Sequence, residues 1–350
     1  MGKKLFDYVI GNPPYNADFE DSGENGNYAK PVYNDFMDAV NEVADKVELV
    51  HPARFLFNAG STPKAWNEKM LNDPHFKVLS YEADSSKVFF NTDIKGGIAI
   101  TYHDDSRNFG AIGTFTAFSE LNSIIQKVIH GTENFKSFSK IVFTRTAYRM
   151  NDKMHSEHPE ALSQLSKGHP YDVSTNIFER LPQIYTEEKP NDGFDYIRIY
   201  GRAKNNRTYR WVRRDYIINV KNTDKWKVFV PKSNGSGALG EVLTTPVIGQ
   251  PVIGHTESFI SIGCFDSENE AQACYKYIAS KFARCLLGVL KVTQDNPPDK
   301  WKMIPLQDFA ENSDIDWSKS IHEIDLQLYK KYGLDEKEIE FIETHVKEMV

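Results

Sequence analysis

The chain has 350 residues, a net charge of -7, 40% hydrophobic residues and 13% aromatic residues. This length and composition exclude disordered, collagen-like and coiled-coil proteins and suit two domains. No apolar run approaches the ~20 residues of a membrane-spanning helix, and no signal-peptide pattern is present. The spacing of Cys264, Cys274 and Cys285 fits neither a zinc site nor a disulfide framework. We therefore expect core thiols, no metal site, no membrane partner and a cytoplasmic protein.

The negative charge is uneven along the chain. Residues 308–350 contain twelve acids and five lysines, which accounts for the whole net charge. The stretch from Arg198 to Arg214 contains six arginines and one lysine and no acid. A local basic surface is therefore available to a polyanion despite the acidic average.

Alternating strands and helices are predicted near the start of the chain. Apolar runs predict strands at residues 5–11, 47–51, 77–81 and 95–102, and helical spacing predicts helices at 33–46, 62–72 and 118–129. This order predicts an α/β fold with a mostly parallel sheet. A polar, Gly-rich loop is predicted over residues 16–31.

The pattern of residues in the sequence changes after about residue 135. Short β-prone runs broken by Pro, Gly and Asn follow, and helical spacing returns at 267–292 and 321–348. We therefore divide the chain into an α/β domain (1–134), a β-rich or α+β domain (135–305) and an acidic helical tail (306–350).

A rigid tetrapeptide, Asn12-Pro13-Pro14-Tyr15, directly follows the first predicted strand. Its two prolines fix the backbone and remove two donors, which leaves carbonyl oxygens free to accept hydrogen bonds. The Asn12 side chain and the Pro13 carbonyl would then accept both hydrogens of one exocyclic amine, while Tyr15 stacks on the attached ring. Accepting both hydrogens favours a pyramidal nitrogen with an available lone pair, so the motif predicts chemistry at an amine.

The segment Phe6–Tyr15 resembles the catalytic motif of the methyltransferases that modify adenine at N6 in DNA, in the NPPY class of restriction–modification systems. Residues 49–56 resemble the next strand and its Pro-containing turn. The segment Val88–Gly97 resembles the later motif whose Phe closes the other side of the target-base pocket. Phe89 is the better match for that Phe, and Phe90 stands where the family commonly has proline.

The resemblance implies methyl transfer from S-adenosyl-L-methionine (SAM) to an adenine flipped out of double-stranded DNA. The catalytic residues would be Asn12, Pro13, Pro14 and Tyr15, with the base stacked between Tyr15 and Phe89. Residues 1–134 would be part of the catalytic domain, with a partial SAM-methyltransferase-like sheet. Residues 135–305 would recognise the DNA target. The resemblance leaves open whether a restriction endonuclease is associated with this chain.

The basic stretch is the predicted DNA-binding element. Aromatic residues interleave its charges, and Gly201 with Asn205-Asn206 predicts a hairpin. Arginine suits phosphates and guanine edges. The candidates are Arg198, Arg202, Lys204, Arg207, Arg210, Arg213 and Arg214, with Arg145 and Arg149 as weaker ones. The alternative is a solvated hairpin whose charges meet acids from elsewhere.

Two further motifs are rejected. Asn296-Pro297-Pro298-Asp299 repeats three letters of the tetrapeptide, but it has no aromatic residue and no strand leading into it, so we predict a turn. The segment Gly235–Gly240 fits a GxGxxG cofactor loop, but Pro231 and Pro246 leave no room for the helix that such a loop requires.

In the usual order of this family, a Gly-rich SAM-binding strand and loop come before the catalytic motif, and this sequence shows none there. We therefore expect most of the SAM site on a missing N-terminal half or a companion polypeptide, so that the isolated chain lacks part of the machinery. Two alternatives remain open. One is a non-catalytic DNA-binding or specificity fragment, and the other is an amino-methyltransferase acting on RNA or on protein glutamine.

Overall fold

The computed structural model describes residues 4–17, 30–90 and 92–349. The chain divides into two compact units, Met1–Gln126 and Lys127–Val350. The predicted Gly-rich loop lies largely outside the described residues, as does Asn91. None of the helices in the described ranges has the length and apolar character needed to cross a membrane.

The first unit contains one sheet and three α-helices among its described residues. Its elements are β1 (Val9–Gly11), α1 (Tyr33–Val43), β2 (Lys46–Pro52), α2 (Lys64–Asn72), β3 (Phe76–Glu82), β4 (Ile98–Asp104) and α3 (Ser119–Ile125). Each strand and helix predicted for this unit is present, with shifted ends. The predicted α/β class is therefore confirmed.

The sheet of the first unit has the strand order β1-β2-β4-β3. β1 is parallel to β2, whereas β4 is antiparallel to both of its neighbours, β2 and β3. β1, β2 and β3 therefore run in one direction, as predicted, but only one of the three strand pairings is parallel. The expected pairing is corrected because the described residues between β3 and β4 include no α-helix, the element that usually carries the chain back across a sheet to a parallel neighbour.

The core of the first unit lies between the sheet and its helices. Tyr33 and Met37 are buried one helical turn apart on α1, and Val47 and Leu49 are buried two residues apart on β2. These spacings match the helix and strand periods that place side chains on one face. Phe55, which follows β2, is completely buried in the same cluster.

The second unit contains two sheets and several helices. Its strands are β5 (Val142–Phe143), β6 (Tyr196–Ala203), β7 (Asn206–Arg213), β8 (Trp226–Pro231), β9 (Val247–Gly249), β10 (Ile253–His255) and β11 (Phe259–Phe265). Its α-helices are α4 (Asp152–Glu157), α5 (Ala161–Gln164), α6 (Ile177–Arg180), α7 (Glu268–Ala279), α8 (Lys281–Leu290), α9 (Ile321–Lys331) and α10 (Glu336–His345). The sheets have the orders β10-β6-β7 and β5-β11-β8-β9. The strands and C-terminal helices expected after residue 135 are therefore present.

The predicted basic hairpin is confirmed as β6 and β7, with a slightly different turn. Lys204 and Asn205 both have positive φ, 48° and 64°. Two successive left-handed residues give the turn whose twist suits a tight hairpin. Ala203 pairs with Asn206 across it, so the turn lies at Lys204-Asn205 and not at Asn205-Asn206.

The three cysteines are free thiols. Cys274 and Cys285 are completely buried in α7 and α8, as expected for core residues. Cys264 is exposed, which corrects the core prediction for this residue, because it lies within a register shift of β11 between Ile262 and Phe265.

Candidate active site and nucleic-acid interface

Three loops meet at one edge of the first sheet. Residues 12–17 follow β1, residues 53–61 follow β2, and residues 83–97 follow β3. Because β1, β2 and β3 run in the same direction, their carboxyl ends lie at the same edge of the sheet. Ligands of open α/β sheets bind outside these carboxyl ends. The fold therefore places the Asn12-Pro13-Pro14-Tyr15 loop at the edge where a binding site is expected.

The tetrapeptide loop offers an unpaired backbone acceptor. Asn12 and Pro14 are exposed, and Pro13 is half-buried. No group in the part of the chain that the structure describes donates a hydrogen bond to the Pro13 carbonyl oxygen. The loop is anchored just beyond it, because the Val32 amide donates to the Tyr15 carbonyl at 3.1 Å. The free acceptor expected from the two prolines is therefore present on a fixed backbone.

Tyr15 is held as a neutral ring beside Asn12. Its ring packs against the core cluster that contains Tyr33 and Phe55. Its hydroxyl is enclosed and has no hydrogen-bond partner of good geometry among the described residues. Burial raises the pKa of Tyr15, and the adjacent Asn12 side chain opposes part of that rise. The ring can therefore serve as an uncharged stacking surface.

A cavity of about 190 Å³ opens beside Tyr15. Residues from all three loops line it, including Tyr15, Pro52, Arg54, Asp93 and Lys95. The structure thus brings Tyr15 and residues of the two later motifs around one space, whereas Asn12, Pro13 and Pro14 do not line it.

Phe89, the predicted second stacking residue, does not line this cavity. Its ring is half-buried, whereas Phe90 is 89% exposed. The Phe89 backbone is fixed, because its carbonyl accepts a hydrogen bond from the Thr92 hydroxyl at 2.7 Å. The Ser85 hydroxyl also ties the loop together by accepting from the Ile94 amide at 2.8 Å. The stacking role of Phe89 therefore stays a prediction.

Arg54 is a site residue that the sequence analysis missed. Its Nε donates to the Lys95 carbonyl, which joins the loop after β2 to the loop before β4. Its side chain lies against Gly96, where an added Cβ would be 2.6 Å from the Arg54 Cγ. The sequence feature that could have indicated Arg54 is its position two residues after Pro52, in a loop at the same sheet edge as Asn12.

His51, which precedes the cavity-lining Pro52 and stacks on Tyr33, has a structural role. Its Nε2 is 2.7 Å from the Thr101 hydroxyl, and its Nδ1 is 3.2 Å from the Pro52 carbonyl. Because a carbonyl only accepts, Nδ1 carries the hydrogen and Nε2 accepts from Thr101. Burial lowers the pKa of His51 to about 4. The imidazole is therefore neutral near pH 7 and fully engaged, so it is not available as a base.

The hairpin of the second unit has a core face and a second face that is partly accessible. Ile197 pairs with buried Val212, whereas Arg198 pairs with Trp211 and both are half-buried. The Arg198 guanidinium carbon lies 5.1 Å from the Tyr209 ring centroid and 5.7 Å from that of Trp211. By cross-strand register, Arg198, Arg202, Arg207, Tyr209 and Trp211 share this second face, and we call them the basic strip.

Four of the predicted DNA-binding side chains have no acidic partner. The side chains of Arg198, Arg202, Lys204 and Arg207 form no ion pair with any carboxylate in the described ranges. The Arg207 guanidinium donates to the Thr245 carbonyl at 2.8 Å, which positions it without neutralising its charge. These four charges remain available for phosphate contacts.

The other three arginines are neutralised by acids of the second unit. Arg213, whose side chain is 11% exposed, donates two hydrogen bonds to Asp215, which raises its pKa further. The carboxylate partners are Glu187 for Arg210, Glu157 and Asp215 for Arg213, and Asp224 for Arg214. For these three arginines the alternative interpretation of the hairpin holds, in which its charges pair with acids from elsewhere in the chain. We therefore leave Arg210, Arg213 and Arg214 out of the proposed DNA-binding surface.

Two backbone amides of the GxGxxG segment are already occupied by an acceptor of the chain itself. The backbone amides of Ser236 and Gly237 donate to the Glu241 carboxylate at 2.8 and 3.1 Å. A Cβ added at Gly237 would lie 2.3 Å from the Thr293 nitrogen, so the glycine serves a close backbone approach. These contacts support the rejection of this segment as a cofactor loop.

The sequence of the first unit resembles known methylases. Residues 1–89 match the Eco57I restriction-modification methylase family. An uncharacterized adenine-specific methylase of Mycoplasma pneumoniae is 32% identical over 99 residues, which cover 28% of this chain and 23% of that relative. The chain therefore spans about a quarter of the length of the curated relative that it matches. The family match includes the Asn12–Tyr15 loop, which confirms the resemblance for that segment.

Two solved structures resemble a larger part of the chain at low similarity. The type IIG restriction endonuclease BpuSI gives a TM-score of 0.29 and 9% identity, over 85% of this chain and 44% of that one. The type IIL restriction-modification enzyme MmeI, solved in complex with DNA, gives a TM-score of 0.32 and 6% identity, over 97% of this chain and 56% of that one. The chain thus corresponds to roughly half of each of these proteins.

Proposed function

We propose that this chain is part of a site-specific DNA adenine-N6 methyltransferase, the modification component of a restriction–modification system. The observation that carries the proposal is the unpaired Pro13 carbonyl, next to Asn12, on a loop that also presents Tyr15 to a cavity. Two acceptors beside a neutral aromatic ring suit one amino group on a planar heterocycle. The family match over residues 1–89 supports the same chemistry.

Asn12 and Pro13 act on the target amine in this proposal. The adenine N6 nitrogen is a poor nucleophile because its lone pair is delocalised into the ring. The Asn12 side-chain oxygen and the Pro13 carbonyl accept its two hydrogens, which favours a pyramidal nitrogen with an exposed lone pair. This activation needs no charged base, which agrees with the neutral and fully engaged state of His51.

Tyr15 and Phe89 hold the flipped base. Moving a base out of the duplex costs a few kcal/mol, and stacking on aromatic side chains returns ~1–3 kcal/mol per base. Tyr15 supplies one surface from a ring fixed against the core. Phe89 is proposed as the opposite surface, on the loop that the Ser85 hydroxyl holds together.

The described residues do not fit a complete SAM site. SAM supplies the methyl group when bound, but in the GxGxxG segment the amides of Ser236 and Gly237 are occupied by Glu241. No strand among the described residues pairs with the outer edge of β1, and Leu5 and Ile10 are 76% and 71% exposed. We propose that a companion polypeptide, or a further segment of the same protein, pairs with this edge and carries most of the SAM site.

The partners proposed for the second unit follow from its charges. The unpaired arginines of the basic strip suit the phosphates of double-stranded DNA. A restriction endonuclease partner belongs to the same proposal, because the matched family is one of restriction-modification methylases. The free thiols suit a reducing cytoplasm.

Mass spectrometry of N6-methyladenine tests the activity. The chain is expressed with its genomic neighbours in cells that lack adenine methylation. We expect methylated DNA with the wild type and none with Asn12→Ala, because the amine loses one acceptor. Asn72→Ala, the same change at an exposed position on α2, should leave methylation intact.

Each other outcome of this experiment argues against part of the proposal. Normal methylation by Asn12→Ala would remove Asn12 from the mechanism. Wild-type DNA without N6-methyladenine would reject the proposed activity. Duplex binding by that same protein would then favour the non-catalytic specificity fragment.

A further inference from the structure

A second cleft of about 350 Å³ lies in the second unit. Its lining includes Thr144, Arg145, Thr146, Lys232 and Asp295. Hydroxyl donors, two cations and one carboxylate thus surround a single opening. The methyl-transfer proposal gives these residues no role.

The two cations of the cleft are uncommitted. Arg145 is exposed and Lys232 is half-buried, and neither side chain has a hydrogen-bond or ion-pair partner anywhere in the described ranges. Arg149, the other arginine predicted near here, differs because its Nε is 3.3 Å from the Asp172 carboxylate. The charge of the cleft is therefore free to meet an anion such as a phosphate.

Asp295 gives the cleft an acceptor as well. Its Oδ1 accepts a hydrogen bond from the Ser233 hydroxyl at 2.8 Å, and its Oδ2 has no donor in the described part of the chain. A carboxylate oxygen suits the exocyclic amino group of a base such as cytosine. Because two cations face one carboxylate, the cleft remains suited to a ligand that carries both a negative charge and an amino group.

The remaining wall is apolar and fixed in place. It consists of Ile260 and the rejected Pro297-Pro298 motif. Asn296 is completely buried, and its Nδ2 donates to the Asn234 Oδ1 at 2.6 Å. Two prolines after an anchored residue form a rigid surface on which a planar ring packs without further ordering cost.

The basic strip and the cleft lie on opposite faces of β11 near the start of that strand. The Arg207 guanidinium carbon lies 5.7 Å from the Phe259 ring centroid, and the next residue, Ile260, lines the cleft. Because successive side chains of a strand point to opposite faces, the two features approach β11 from its two sides. The cleft and the basic strip therefore consist of different side chains, which separate variants can test.

We infer that this cleft binds one nucleotide of the DNA target, with its phosphate on Arg145 and Lys232 and its base edge on Asp295. The inference rests on the proposed function and adds a base-reading site to it. The apolar proline surface packs against the ring of the nucleotide.

A salt titration tests the phosphate contacts. Binding of a short mixed-sequence duplex to the full chain is measured by fluorescence anisotropy over a series of salt concentrations. Each phosphate contact contributes ~0.9 to the slope of log K against log salt. The double variant Arg145→Gln, Lys232→Gln should therefore lower the slope by ~0.9, because the two side chains contact the phosphate of one nucleotide. The matched double variant Lys167→Gln, Arg180→Gln lies outside the cleft and the basic strip and should keep the wild-type slope.

Selection from a randomised duplex library tests the base contact. Asp295→Asn should lose the base preference at one position and keep the wild-type salt slope. Unchanged preference in this variant, or an unchanged slope in the double variant, would overturn the inference. If Arg207→Gln still lowers the slope in that case, DNA binding by the basic strip stands. A wild-type chain that binds no duplex would overturn both proposals.

Discussion

The Tyr8 hydroxyl donates a hydrogen bond to the Glu48 carboxylate at 2.7 Å, which joins the residue before β1 to β2. The same hydrogen bond raises the pKa of Tyr8 to about 12. β1 has no strand partner on its other side among the described residues, and Ile10 is 71% exposed there. An open apolar edge is a template for pairing with another chain.

We expect the purified chain to self-associate through the outer edge of β1. Ile10→Lys should shift the population towards monomer, because a charged side chain blocks edge-to-edge pairing. Sedimentation velocity measures the distribution. Leu162→Lys places the same charge on a 53% exposed leucine of the second unit and should leave association unchanged. Equal distributions for the two variants would contradict a role for β1.

Removing one unpaired charge from the basic strip should weaken DNA binding in a salt-dependent way. Arg207→Gln should lower the slope of log K against log salt by ~0.9, because one phosphate contact is lost. Arg214→Gln removes a charge that Asp224 already neutralises, so the slope should stay at the wild-type value. Anisotropy titrations on both variants decide the matter. Equal slopes for Arg207→Gln and the wild type would mean that this face is only solvated.

The Glu241 carboxylate should stabilise the fold by accepting hydrogen bonds from nearby backbone amides. Burial alone would raise its pKa, but hydrogen bonds from Ser236 and Gly237 lower the pKa of Glu241 to about 2. Glu241→Gln replaces charged hydrogen bonds with neutral ones, and each charged bond contributes ~1.5–3 kcal/mol. We expect a loss of that order in urea denaturation and no gain of SAM binding in calorimetry. Glu340→Gln, on the exposed face of α10, should leave stability unchanged. SAM binding by the Glu241 variant would reopen the segment as a cofactor loop.

The stability of the second unit should depend on pH through Lys227. This buried ammonium donates to the Ile253 carbonyl at 2.8 Å, and burial lowers the pKa of Lys227 from 10.5 to about 7. The unfolded chain therefore binds the proton more tightly, so the free energy of unfolding rises as the pH increases from 7 towards 10.5. Lys227→Met should remove this rise, whereas Lys221→Met, at an exposed position, should keep it. Urea denaturation across this pH range gives the comparison, and a parallel rise in both variants would assign it to another group.

The sequence predicts the features that depend on neighbouring residues. The Asn12–Tyr15 loop follows its strand directly, and the hairpin turn lies between two β-prone runs, so both are visible in a short window. Ion pairs are different because their partners come from distant parts of the chain. Glu187, which pairs with Arg210, lies 23 residues away, and nothing local distinguishes Arg210 from unpaired Arg207. Arg54 was missed for the same reason, since the Lys95 carbonyl that it binds becomes a neighbour only in the folded sheet.

Each unit has a hydrophobic core of its own. Phe55 and Trp66 belong to the core of the first unit, and Tyr148 and Tyr185 belong to a core in the second. Substitutions on the hairpin or in the Arg145 cleft therefore leave the packing around the Asn12–Tyr15 loop intact. Under the proposed function, a new DNA preference can then arise through substitutions on the second unit without changes in the core that supports the Asn12–Tyr15 loop.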